Sequence, residues 1–158
     1  MKIALGSDKS GFALKEQIKD FLTNENIEFS DLGTLNFEKG IPYYDVAANV
    51  ATALQSGKYD LGILICGTGA GVAVVANKHK GIIAVPCESV YSARMSRVIN
   101  DANILCMGGW IVAENMGIEM VKAFIGTDFL AGLEEWRKDF LTKAKLKIGE
   151  TEERIYGK

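Results

Sequence analysis

The sequence predicts an α/β fold in which helices cover both faces of one parallel β-sheet. Along most of the chain, short runs rich in aliphatic and β-branched residues alternate with segments of helical periodicity. The run LGILIC at 61–66 is apolar throughout, which is typical of a strand that is buried on both faces. Because strands that alternate with helices form parallel sheets, we expect three layers, with ligands at the carboxyl edge of the sheet.

The individual elements follow this alternation in order. Strands are predicted at 2–6, 27–33, 60–66, 82–86 and 103–107. Helices are predicted between and after them, at 11–24, 44–56, 70–78, 89–99 and 114–125. After residue 126 no further strand is predicted, and apolar residues from Phe129 to Leu141 lie on or near one helical stripe. We therefore expect a single domain over 1–158, whose C-terminal helix at about 128–146 packs on a partner subunit; packing on its own domain is the alternative.

Composition and charge argue against several classes of function. With a formal net charge of −2, the chain offers no basic surface for nucleic acid or for an anionic membrane. No apolar stretch is long enough to span a membrane, and the apolar run at the start is too short for a signal peptide. The three cysteines lack metal-ligand spacing and His79 is the only histidine, so we expect reduced thiols, a cytoplasmic location and no His-rich metal site.

The segment CGTGAG at 66–71 joins the third strand to a helix and carries the most informative pattern. A tight turn without a ligand and a nucleotide-binding loop are two interpretations, but the G-x-G-x-G spacing matches neither the dinucleotide fingerprint nor the P-loop. The glycines allow successive backbone N–H groups to point at one position, which makes a pocket for an anion or a developing oxyanion. Cys66 lies at the lip of this pocket and His79 lies beyond the next helix, so we interpret Cys66 as a proton-abstracting base.

Several motifs, in register, resemble the family of type B ribose-5-phosphate isomerases and galactose-6-phosphate isomerases. They cover roughly residues 1–140 and read, in order, GSDKSGFALKEQI, YYDVA, GILICGTGAGVAVVANK, YSARMSRVINDAN and AFI. The resemblance implies a Rossmann-like α/β/α fold with a five-stranded parallel sheet, and a homodimer or tetramer with shared active sites. It also implies aldose–ketose isomerisation of a sugar phosphate without a metal or another cofactor.

The same resemblance assigns roles to residues of this chain. Cys66 would remove the proton that moves between C1 and C2, and the backbone after it would hold the enediolate. That cradle consists of Gly67, Thr68, Gly69, Ala70 and Gly71. Thr68 and Asp8 are expected to handle hydroxyl protons. The substrate-binding side chains outside the cradle are expected to be Tyr43, Asn100 and Arg137, with Arg137 on the phosphate. Lys9 is expected to bind the phosphate as well, because of its own positive charge and not by resemblance.

Four positions depart from the family pattern. Lys9 and Ile99 stand where the family has histidines, and the second of these histidines opens the sugar ring. Trp110 and Leu133 stand where the family has arginines. Because isoleucine cannot transfer a proton, while the base and the cradle are retained, we predict a substrate that is already linear. A tetrose or tetrulose phosphate fits this prediction, because its phosphorylated last carbon has no free hydroxyl to close a stable ring.

Two other functions stay open at this point. One is a half-site or non-catalytic subunit of a hetero-oligomeric galactose-6-phosphate isomerase. The other is a small nucleotide-binding regulatory domain, against which the missing dinucleotide fingerprint counts. Among single residues, Trp110 belongs either to the core or to a pocket wall, and Arg94 and Arg97 are expected on a solvated helix face. Cys87 and Cys106 are expected in the core or at strand ends.

Overall fold

The computed structural model describes residues 1–157, and its α/β/α architecture confirms the predicted fold class. Its strands are β1 (Lys2–Ser7), β2 (Glu28–Asp31), β3 (Leu61–Cys66), β4 (Ala84–Pro86) and β5 (Ile104–Gly108). Its α-helices are α1 (Phe12–Asn24), α2 (Tyr43–Gln55), α3 (Ala70–Ala76), α4 (Val90–Asn100), α5 (Glu114–Ile125) and α6 (Glu135–Tyr156). A 3₁₀ turn, Phe37–Lys39, lies between β2 and α2. Within residues 1–157, no helix combines the length and the apolar character needed to cross a bilayer.

The strands pair in parallel in the order β2–β1–β3–β5–β4. The chain winds from β1 out to β2 and then returns past β1 to β3, so the direction of winding reverses between β1 and β3. Ser7 pairs with Ile65, and Cys66 pairs with Gly108, so β1, β3 and β5 end side by side. Open α/β sheets bind ligands in the crevice at such a reversal, which places the expected site at the ends of these strands.

Two apolar cores hold the helices on the sheet. Side chains of α1, α4 and α5 pack on one face against residues that include Ile63 and Ile65. Side chains of α2 and α3 pack on the other face against residues that include Leu64 and Ile104. Successive strand residues point to opposite faces, so a strand buried on both faces must be apolar at every position. All six residues of β3 are buried, as the LGILIC run predicted.

A buried ion pair fixes the segment between β2 and α2. Lys15 of α1 is fully buried, and its ammonium group binds the carboxylate of Asp31 and donates to the carbonyl oxygen of Thr34 at 2.7 Å. The N–H of Thr34 donates to the carbonyl oxygen of Ser7 at 2.8 Å. The hydroxyl oxygen of Thr34 accepts from the N–H of Ile41 at 3.0 Å. The segment is therefore tied both to α1 and to the end of β1, beside the crevice.

Helix α6 begins and ends later than the predicted 128–146, because it runs from Glu135 to Tyr156. Every residue of α6 is at least partly exposed, and its contacts with its own domain include polar ones. Lys145 pairs with Asp101, and Glu152 accepts from the N–H of Gly81 at 2.6 Å. The helix nevertheless leaves large apolar side chains exposed, namely Trp136, Phe140, Leu146, Ile148 and Ile155.

The solvated face expected for Arg97 is wrong. Arg97 is half-buried, and its guanidinium group donates to the carboxylate of Asp101 at 2.9 Å and to the carbonyl oxygens of Ala102 and Thr127 at 2.7 and 3.2 Å. These bonds connect the end of α4 to the segment that leads into α6. Arg94, one turn earlier, is exposed.

Candidate active site

The glycine-rich segment after β3 folds as a tight loop around the sulfur of Cys66. The N–H of Gly69 donates to Sγ of Cys66 at 3.2 Å, and the cysteine is only 5% exposed. Gly69 has a φ of +81°, a left-handed conformation that favours glycine. A Cβ atom on Gly108 would lie 2.8 Å from the Cα of Thr68, so the loop also sits directly on the end of β5. The loop is therefore held in one conformation, with a backbone donor directed at the sulfur.

Asp8 lies beside this loop at the end of β1. Its N–H donates to the carbonyl oxygen of Ile65 at 3.3 Å, one residue before Cys66. Its carboxylate accepts from the N–H of Gly11 at 3.1 Å, which fixes the turn that leads into α1. A Cβ atom on Gly11 would lie 2.6 Å from Cγ2 of Ile65, so this turn packs tightly on β3. The half-buried Asp8 carboxylate and the Cys66 thiol consequently share one edge of the sheet.

Aromatic rings cover the first and last glycines of the loop. A Cβ atom on Gly67 would lie 2.7 Å from Cζ3 of Trp110, so the indole ring takes the place of a side chain there. The ring of Tyr43 lies in the same way against Gly71, with Cε2 at 3.0 Å. Trp110 is 74% exposed, and its backbone N–H donates to the carbonyl oxygen of Gly67 at 3.0 Å. It is therefore a wall of the crevice and not a core residue.

Lys9 extends from the end of β1 toward the segment between β2 and α2. Its exposed side chain lies along Gly40, and its ammonium nitrogen is 5.2 Å from the centre of the Phe37 ring. The Phe37 ring packs edge to face on Phe12 at 5.7 Å between centroids. Neither Phe37 nor Gly40 was predicted from the sequence as part of the site. The one available signal was an aromatic residue within a stretch that is otherwise rich in turn-forming and charged residues.

Asn100 and Arg137 are not brought to the crevice within one chain. Helix α4 starts after β4 at the carboxyl edge and ends before β5 at the opposite edge, and Asn100 is its last residue. Ile99 and Asn100 there line a groove of about 330 Å³ against Leu141 and Ile148 of α6. Arg137 is exposed in the first turn of α6, with its guanidinium group 5.8 Å from the Trp136 ring. The family resemblance grouped Asn100 and Arg137 with Cys66. Within one chain, however, both residues lie away from Cys66.

The other two cysteines differ from Cys66 in position and chemistry. Cys106 is fully buried, and burial raises the pKa of its thiol well above the usual value. Burial also raises the pKa of the Cys87 thiol. Both are core residues, as predicted. In the part of the chain that the structure describes, no three His, Cys, Asp or Glu side chains are grouped as metal ligands.

Comparison with known proteins finds relatives along most or all of the chain. The family model described as Ribose/Galactose Isomerase matches residues 3–140. The chain is 52% identical over 158 residues to a 4-deoxy-4-sulfo-D-erythrose isomerase of Clostridium sp. (strain MSTE9), covering 100% of this chain and 99% of that one. It is 34% identical over 132 residues to a D-erythrulose-4-phosphate isomerase of Pectobacterium atrosepticum, covering 84% and 87%. The solved structure of Clostridium thermocellum ribose-5-phosphate isomerase B matches with a TM-score of 0.88 at 40% identity, covering 98% and 99%.

Proposed function

The chain belongs to the Ribose/Galactose Isomerase family, and from that membership we propose that it interconverts the aldose and ketose forms of a linear four-carbon sugar with a terminal anion. The anion is a phosphate or a sulfonate on C4. The observation that carries the proposal is the glycine loop around Cys66 at the sheet reversal, with Asp8 on the neighbouring strand. Neither a non-catalytic subunit nor a nucleotide-binding regulatory domain is favoured, since the relatives are named as isomerases.

The proposed reaction transfers one proton between adjacent carbons. The thiolate of Cys66 removes the proton from C2 of the aldose, so that a C–H bond breaks and an S–H bond forms. The electron pair forms the C1–C2 double bond, and the negative charge moves to the C1 oxygen. Backbone N–H groups of the cradle, from Gly67 to Gly71, stabilise this enediolate. A proton passes from O2 to O1 through Thr68 and Asp8, and the Cys66 thiol then protonates C1 to give the ketose.

The replacement of a ring-opening histidine by Ile99 supports a linear substrate. An aldotetrose closes a five-membered ring through its C4 hydroxyl. When C4 carries a phosphate ester, or a sulfonate in place of the hydroxyl, that ring cannot form. The two four-carbon sugars in the relatives' names share this property, and the sulfonate belongs to the relative that matches the whole chain at 52% identity. The sulfonate is therefore the leading candidate.

A second copy of the chain is proposed to complete the site. Asn100 and Arg137 lie away from the crevice of their own chain, and α6 leaves several large apolar side chains exposed. In a homodimer or tetramer, these residues would reach the crevice of a neighbouring subunit, and the exposed side chains of α6 would be covered. Trp110 and Leu133, in place of two arginines, leave Lys9 and Arg137 as the proposed cations for the anion. The reduced, buried cysteines fit a cytoplasmic location.

Substrate comparison by NMR tests the proposed function. The purified protein is incubated with 4-deoxy-4-sulfo-D-erythrose, D-erythrulose 4-phosphate and ribose 5-phosphate in separate reactions. We expect kcat/KM for at least one four-carbon substrate to exceed that for ribose 5-phosphate by more than tenfold. Equal or faster turnover of ribose 5-phosphate would reject the linear-substrate proposal, and inactivity on all three sugars would reject the isomerase proposal.

A further inference from the structure

We propose that Gly40 and Phe37 are positioning residues, which hold Lys9 in place to receive the terminal anion of the substrate. The inference rests on the proposed function, because it concerns how that substrate is recognised. Lys9 is a long side chain with several rotatable bonds, and fixing it at the moment of binding costs conformational entropy. Contacts that hold it beforehand reduce this cost.

Gly40 provides the space in which the aliphatic part of Lys9 lies. A Cβ atom on Gly40 would be 2.4 Å from Cγ, 2.9 Å from Cδ and 2.8 Å from Cε of Lys9. The lysine side chain therefore crosses directly over the Cα of the glycine. The backbone of Gly40 has φ −64° and ψ 142°, which any residue adopts readily. Glycine is thus needed here for the close approach of Lys9 and not for backbone conformation.

Phe37 holds the charged end of the same side chain. The ammonium nitrogen of Lys9 lies 5.2 Å from the ring centre, within the range of a cation–π interaction. The ring is itself supported by Phe12, and the segment that carries it is tied to α1 by the buried Lys15. A cation–π contact leaves the N–H donors of the ammonium group available, and no carboxylate among residues 1–157 forms an ion pair with Lys9.

The backbone of Lys9 lies at the edge of the sheet that carries the crevice. Asp8, the preceding residue, is hydrogen-bonded through its backbone to Ile65 next to Cys66. Lys9 therefore extends from a fixed point at the same sheet edge as the proposed base. A short substrate whose reacting carbons lie at Cys66 would then extend its terminal anion toward Lys9.

The Gly40→Ala variant moves Lys9 without removing it. Steady-state kinetics are measured with 4-deoxy-4-sulfo-D-erythrose, D-erythrulose 4-phosphate and neutral erythrulose. We expect KM for both anionic sugars to rise about fivefold to twentyfold, while kcat changes less than twofold, because one charge-assisted contact is weakened. Turnover of erythrulose, which lacks the anion, stays unchanged. Phe37→Leu raises KM for the anionic sugars by about twofold to fivefold.

A double-mutant cycle and a neighbouring control separate this role from a general structural effect. In a Lys9→Met background, Gly40→Ala is expected to change KM for the anionic sugars less than twofold. Leu35→Ala, an exposed apolar residue of the same segment, serves as the control and keeps wild-type kinetics. An unchanged KM in Gly40→Ala, or an equal loss with erythrulose, would overturn the proposal.

A crystal structure of the Gly40→Ala variant gives a readout that does not depend on turnover. The proposal predicts that the Lys9 side chain leaves Gly40 and the Phe37 ring, and an unmoved side chain contradicts it. If the wild type is inactive on both anionic sugars, the proposed function fails, and this crystal structure still decides whether Gly40 positions Lys9.

Discussion

Replacing Gly69 with alanine perturbs the cradle where its backbone is most constrained. The residue has φ +81°, and a Cβ atom there would lie 2.9 Å from the carbonyl carbon of Met107 and 3.2 Å from the nitrogen of Gly108. Both neighbours are backbone atoms of β5, which is paired on both sides in the sheet. They cannot rotate away as a flexible side chain would.

The expected loss follows from two contributions. The left-handed conformation costs an alanine roughly 1–2 kcal/mol. Forcing an extra methyl group against packed atoms costs a further ~1–3 kcal/mol. A local backbone rotation that relieves this contact would turn the Gly69 N–H away from Sγ of Cys66, now 3.2 Å away. In the proposed mechanism the same N–H belongs to the cradle for the enediolate, and loss of one such oxyanion donor lowers kcat by about 10²–10³-fold.

Urea unfolding and kcat at saturating substrate measure the two effects separately. Gly57→Ala is the matched control, because Gly57 also has a positive φ, +71°, but nothing lies within 4 Å of its Cβ position. We expect Gly69→Ala to lose at least 1 kcal/mol more unfolding free energy than this control, together with most of its kcat. If the two variants have equal stability and Gly69→Ala keeps kcat within threefold of the wild type, the reasoning about the cradle is wrong.

Three further predictions concern other parts of the molecule. Lys15→Met should lower the free energy of unfolding by about 3 kcal/mol, since the buried Asp31 carboxylate keeps only the more distant Lys19, at 3.4 Å, and the Thr34 carbonyl loses its donor. Lys19→Met, at a partly exposed site, should cost under ~1 kcal/mol, and similar losses in a urea titration would contradict this. Phe140→Asp should shift the sedimentation coefficient toward a smaller species, and an unchanged mass would argue against α6 as the interface. Ile99→His should raise kcat/KM for ribose 5-phosphate without raising it for a four-carbon substrate. If kcat/KM for ribose 5-phosphate does not rise, Ile99 no longer supports the proposal of a linear substrate.

The fold was predictable because its strongest signals are local. The apolar run of β3 and the alternation of strands with helices required the three-layer arrangement. The start of β4 was harder to predict from the sequence. The strand was predicted from residue 82, but it begins at Ala84. The N–H of Ile83 bonds instead to the side chain of Asn103 at 2.8 Å, a partner that is distant in sequence.

The candidate site was predictable where it follows consecutive residues. Cys66 and the loop after it are one continuous segment, so their proximity follows from the chain itself. The contact between Lys9 and Gly40 joins residues from different loops, and nothing in the local sequence indicates it. Asn100 was grouped with Cys66 by resemblance, but α4 runs back to the opposite edge of the sheet, so proximity requires a second chain.

Proton exchange in D₂O by the Cys66→Ala variant shows whether Cys66 is the base. NMR follows deuterium incorporation at C1 and C2 of the four-carbon substrate that the wild type turns over fastest, with Cys87→Ala as a control for loss of a buried thiol. We expect exchange to fall by about 10²–10⁴-fold in Cys66→Ala, while the dissociation constant for the substrate changes less than threefold. The control variant keeps its exchange rate. Exchange within tenfold of the wild-type rate in Cys66→Ala would contradict the claim.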